Sequence, residues 1–120
     1  MKIERNETFM TVTEKAVKIA KVLDAKKADN VKVIKVDKLT AMADFFVLAT
    51  GSSNTHVKAL SEEVEYQMKK EGFEGRIEGK ASNWQLIDFS DVLVHVFTEQ
   101  GREHYDLDKL WSDGEEIPFE

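Results

Sequence analysis

The chain has 120 residues, 23 acidic against 17 basic, a formal net charge of −6 and no cysteine. That length suits one domain with its own core, and the missing thiols exclude disulfides, thiolate metal sites and cysteine nucleophiles. The charge argues against direct contact with nucleic acid, which needs local basic residues to release counterions, and it favours a basic protein partner through complementary fields.

The opening, MKIERNETFM, mixes charges of both signs and has no apolar run of signal-peptide length. No later stretch approaches the roughly 20 apolar residues of a membrane span. The expectation is a soluble, cytoplasmic protein without membrane contact. Residues 1–10 read as a lead-in, 11–111 as a single domain and 112–120 as an acidic tail.

In chain order, Val12, Ala16, Ile19 and Leu23 form a single helical stripe over residues 11–27. Thr11 or Thr13 can cap its first turn, and Lys26 and Lys27 suit its negative C-terminal end. VKVIKVD, residues 31–37, is β-branched and predicts a strand. DFFVLAT, residues 44–50, is almost continuously apolar, as in a strand covered on both faces. From Asn54 to Glu71 a second stripe carries Val57, Leu60, Val64 and Met68, and Gly72 stands where a left-handed C-terminal cap belongs.

A short GRIEG segment leads into a looser KASN. WQLIDF and VLVHVF then flank Ser90-Asp91, an antiparallel hairpin with a tight turn. Tyr105, Leu107, Leu110 and Trp111 predict a short helix or turn folded back on the sheet, and SDGEEIPFE reads as a frayed end. The pattern predicts an α/β (α+β) domain, a mixed five-stranded sheet with packed helices.

Gly51-Ser52-Ser53 opens directly into the second helix, as phosphate-cradling loops do. A Walker A loop needs a second Gly and a Lys, a dinucleotide fingerprint needs three glycines, and both sets are missing here. A nucleotidyltransferase turn needs a pair of acids on the following strand; GRIEG offers only Glu78. The segment therefore reads as a cap, with Ser52, Ser53 or Asn54 accepting a backbone N–H. His56, His95 and His104 lack the i, i+4 spacing of a helical metal site, and each reads as a satisfied or exposed histidine. Asp88 and Asp91 flank the hairpin turn, where Asp usually bonds nearby backbone N–H groups. Trp84 starts a strand beside a polar loop, with Leu86 and Asp88 on its face and Gln85, Ile87 and Phe89 on the other. Such a Trp is either core or a partner anchor, because large aromatics dominate interface hot spots.

DFFVLATGSSNTHVKAL, WQLIDFSDVLVHVF and REHYDLDKLW, in this order and spacing, together resemble the ribosomal silencing factors, the RsfS/YbeB/Iojap family. The resemblance runs from about Lys15 to Trp111. It implies a nucleotidyltransferase-like fold that has lost its catalytic acids, with no cofactor and no enzymatic activity. It further implies binding to the large ribosomal subunit through the fourteenth large-subunit protein, L-fourteen. There the factor would occupy the place of the small subunit and hold off translation when nutrients are scarce. Family members are often homodimers, so a second copy is a further partner that the resemblance allows.

The family's partner surface falls on the Glu78-Gly79 loop and the W-x-L-x-D-[FY] strand. It makes Trp84 and Phe89 apolar anchors, left uncovered near the turn, with Leu86 a lesser one. Glu78, Asp88 and Asp91 would meet Lys or Arg of the partner. The chain departs from the family in two places: Ser90 stands where Gly is common, and the segment between Glu78 and Trp84 is one residue shorter. His56 and the Tyr105–Trp111 block match the family and read as structural. Two alternatives stay open, a minimal magnesium-dependent nucleotidyltransferase using Asp44, Asp88 or Asp91, and a generic dimerisation or adaptor module.

Overall fold

The computed structural model describes residues 10–119, the side chain of Lys80 excepted. The first helix, α1 (Val12–Ala25), is closed at its N-terminus by a capping box between Thr11 and Glu14. It buries Ala16, Ile19 and Leu23 of the expected stripe together with Ala20 and Lys15, while Val12 at its start is only partly buried. Two strands follow, β1 (Asp29–Lys35) and β2 (Phe45–Gly51). Every residue of β2 is buried, which explains why its sequence shows no alternation.

Helix α2 (Asn54–Lys70) starts from Ser53, whose hydroxyl accepts the His56 N–H. Its end is a Schellman motif. Gly72 takes φ +93°, its N–H donates to the Lys69 carbonyl, and the Phe73 N–H donates to Met68. Next come β3 (Arg76–Ala81), β4 (Trp84–Asp88) and β5 (Val92–Thr98). KASN is thus less loose than expected, because β3 runs through Ala81 and only Ser82 and Asn83 connect it to β4. Glu78 and Gly79 lie in a strand, not a loop.

The C-terminal part holds two short helices, α3 (Glu99–Tyr105) and α4 (Leu107–Leu110), then β6 (Glu115–Ile117). The sheet therefore has six strands where five were expected, in the order β3-β4-β5-β2-β1-β6. The extra strand comes from the stretch expected to fray. Residues 115–117 pair antiparallel with β1, and Ile117 and Phe119 pack against the core. Only β2 and β5 run parallel; the other neighbours are antiparallel.

Alternation along the strands creates two apolar layers. On one face α1 and α2 cover Val33, Phe45, Val47, Ile87, Phe89 and Val94. On the other lie Ile34, Phe46, Leu48, Leu86, Leu93 and Phe97, with Leu107 and the rings of Trp84, Tyr105 and Trp111 packed on them. The two short helices are too small to roof that whole face. Among the described residues, no helix is long and apolar enough to cross a membrane.

Candidate partner-binding face

The Gly51-Ser52-Ser53 turn is occupied by the protein itself. The Ser52 N–H donates to His56 Nδ1 at 2.8 Å, and His56 Nε2 lies 3.0 Å from the Lys26 carbonyl. An acceptor Nδ1 requires the proton on Nε2, so that nitrogen is the donor to Lys26. His56 therefore ties the start of α2 to the end of α1, which agrees with its structural reading.

Arg102 is buried beside this turn. Its Nε and Nη2 donate to Asp108 at 2.6 and 2.9 Å, and Nη1 donates to Thr50 Oγ1 at 2.9 Å. Lys32 approaches Asp108 at 3.1 Å. The hydrogen bonds from Arg102, helped by its charge and by Lys32, hold the Asp108 carboxyl at about 2, against the opposing effect of burial. This fork ties α3 and α4 to β1 and β2, and α3 packs against both β2 and β5. β5 is buried like β2, so exposed surface on this face is left at β3 and part of β4.

Trp84, Glu78 and Asp88 keep part of their surface exposed there, whereas Leu86, expected as a lesser anchor, is buried at 8% exposure. Glu78 pairs across the strands with Leu86, and Arg76 with Asp88. The Trp84 indole is half-buried, stacked on Phe97 at 5.4 Å and tilted against Tyr105 at 4.5 Å. Its Nε1–H donates to His95 Nδ1 at 3.2 Å. The indole is thus neither free nor sealed in. Its N–H is engaged inward, and part of the ring surface remains exposed. His95, read from sequence as a satisfied or exposed histidine, is buried and orients this ring. Gly79 is exposed with open space around its Cα.

Two further expected contact residues are placed differently from the expectation. Phe89 does not stand uncovered; it is 4% exposed and lies in the layer beneath α1 and α2. A Cβ on Gly75 would come within 2.5 Å of the Phe89 ring, so that glycine is what lets the ring lie flat there. Asp91 is engaged with the buried Lys15 ammonium at 2.7 Å. Lys15 also sits over the Phe73 ring, 4.4 Å from its centre. Asp88 accepts the Ser90 N–H at 2.7 Å, as a turn aspartate does. Ser90 itself has φ +76°, the region that favours glycine, which gives the departure from the family a physical meaning.

Sequence reasoning missed Met42, Leu93 and Arg76. All three line a groove with Leu86, Glu78 and Asp88. The one available signal was a large apolar residue between two alanines, Ala41-Met42-Ala43, in a strand connection.

Comparison with known proteins identifies the chain's relatives. The family model described as "Ribosomal silencing factor during starvation" matches residues 10–120. The chain is 37% identical over 100 residues to ribosomal silencing factor RsfS of Halalkalibacterium halodurans, covering 82% of this chain and 86% of that one. It is 33% identical over 100 residues to the Iojap-related mitochondrial protein of Arabidopsis thaliana, covering 78% of this chain and 54% of the other. A crystal structure of a protein from Chromobacterium violaceum matches with a TM-score of 0.82 at 32% identity, covering 92% of each chain. The chain belongs to the RsfS family of ribosomal silencing factors.

Proposed function

We propose that this protein binds the large ribosomal subunit through the ribosomal protein L-fourteen, and by its bulk prevents the small subunit from joining. The observation that carries the reading is the family match across residues 10–120. Relatives at this similarity are named ribosomal silencing factors. The mechanism is occlusion and needs no bond chemistry. A net charge of −6 suits docking on a basic ribosomal protein by complementary fields.

The contact surface in this reading is the partly exposed edge of the second sheet face at β3 and β4. Trp84 supplies apolar area, Glu78 and Asp88 supply charge, and Gly79 allows close approach of the partner to β3, while Leu86, 8% exposed, adds little. Phe89 and Asp91 act beneath the surface, holding the β4–β5 turn through Gly75 and Lys15. The indole offers an apolar and cation-binding ring surface, because its N–H is engaged with His95.

Sucrose-gradient sedimentation tests the proposal. The full chain should travel with isolated large subunits and lower the yield of joined ribosomes when small subunits are added. Trp84→Ala should weaken that binding about 30-fold, the size of a hot-spot loss near 2 kcal/mol, with the variant's folding checked by circular dichroism. Absence of co-sedimentation by the wild-type chain would refute the function. Unaltered binding by a folded Trp84→Ala would refute the site.

A further inference from the structure

The partly exposed edge of this face continues beyond Trp84 to a groove. Met42, on the connection between β1 and β2, is 60% exposed and stands over a groove floored by Leu86 and Leu93. The rim carries Glu74, Glu78 and Asp88. Arg76 reaches across it, with Nε 3.5 Å from Glu78 and Nη2 3.7 Å from Asp88. The Arg76 side chain is 75% exposed, and exposed pairs at such distances are weak.

We propose that this groove receives an apolar side chain from a basic segment of the ribosomal protein partner, and that Arg76 is a placeholder cation which the partner's own Lys or Arg displaces. The inference rests on the function proposed above and specifies the chemistry of the contact. A thioether on a flexible stem adapts to an incoming apolar group, and Met42 is 60% exposed among the described residues. Three carboxylates against one guanidinium leave the rim acidic, so a segment with cationic residues flanking its apolar one matches the groove in both respects. Phosphates would be repelled by the same rim, which disfavours RNA. A second copy would bring like charge against like charge in a two-fold contact.

Arg76 neutralises part of the acidic rim at no contact with the partner, so its presence lowers the attraction for an incoming cation. Removing it should therefore strengthen binding, an effect that a purely structural role would not produce. Met42 and Arg76 are both exposed, so Met42→Ser and Arg76→Gln leave the core intact.

The test measures affinity of the full chain for purified L-fourteen by titration calorimetry, at low and at physiological salt, with Glu78→Lys as a control. Met42→Ser should weaken binding about tenfold, the effect of withdrawing one apolar side chain from an interface. Arg76→Gln should strengthen it about two- to fivefold at low salt, with the gain shrinking as salt screens the rim. If the wild type binds and Glu78→Lys weakens it while Met42→Ser and Arg76→Gln change nothing, the groove proposal falls and the proposed function stands. If the wild type binds neither L-fourteen nor large subunits, both fall. Weaker binding by Arg76→Gln would make Arg76 a partner contact and overturn the placeholder role. Capture by naked ribosomal RNA in place of the protein, or loss of self-association in Met42→Ser, would also overturn the proposal.

Discussion

Replacing Asp108 by Asn keeps the shape of the side chain and removes its charge from the fork that holds α3 and α4. Arg102, only 7% exposed, would then keep Thr50 and a neutral amide as its partners. The displacement of the Asp108 carboxyl from 3.8 to about 2 sets the size of the electrostatic part. By proton linkage such a displacement corresponds to about 2.4 kcal/mol, and to about 1–2 kcal/mol once solvent screening of a partly exposed carboxylate is included. The folded-state value is the lower one, so this stability is present above the unfolded-state value of 3.8 and is lost as pH falls through about 2. About half of it is gone at pH 3. Urea unfolding of wild type and Asp108→Asn, followed by tryptophan fluorescence at pH 7, 5 and 3, isolates the contribution, because the other carboxylates cancel in the difference. The variant should be less stable by about 1–2 kcal/mol at neutral pH, with the gap narrowing by roughly half at pH 3. A gap that stays constant across this range, or no gap at all, would refute the electrostatic reasoning.

Ser90→Gly should stabilise the protein by about 0.5–1 kcal/mol in urea unfolding, since φ +76° is strained for serine and free for glycine; a loss of stability would show that the Ser90 side chain contributes a contact worth more than the strain. Asp91→Asn should cost about 2–4 kcal/mol, because it leaves the buried Lys15 ammonium without its counter-charge. The double variant Lys15→Met/Asp91→Asn should recover much of that loss in thermal unfolding, and no recovery would mean that packing of the lysine stem matters more than charge.

Legibility in the sequence followed the range of the interactions. The helix caps and the Gly72 turn are local: the sequence narrowed the first cap to Thr11 or Thr13 and the second to Ser52, Ser53 or Asn54, and the structure selects Thr11 and Ser53. The continuous apolar run of β2 correctly signalled cover on both faces. Strand β6 was not readable, because Glu115 and Glu116 are exposed and its strand character comes from pairing with β1. Alternation separated Trp84, Leu86 and Asp88 from Ile87 and Phe89. It could not say which face is roofed completely and which leaves an edge at β3 and β4 partly exposed. That depends on α1 and α2 being long and on α3 and α4 being short. The engagement of Asp91 with Lys15 spans 76 residues, beyond the reach of any local pattern. Met42 escaped for a related reason, since its role depends on the groove that β4 and β5 build beneath it.

The central position of β2 bears on how the chain acquires its fold. Its parallel neighbour β5 is synthesised only after α2, β3 and β4, and until then β2 can pair with β1 alone. A growing chain that ends before Val92 therefore presents FFVLAT with one edge unpaired, a segment of the composition that stacks into cross-β aggregates. Closing the β2–β5 seam is a non-local event, and non-local parallel pairings are intrinsically slow to form. Synthesis that stalls within β4 should yield protein that needs chaperone protection, whereas release after Thr98 should not.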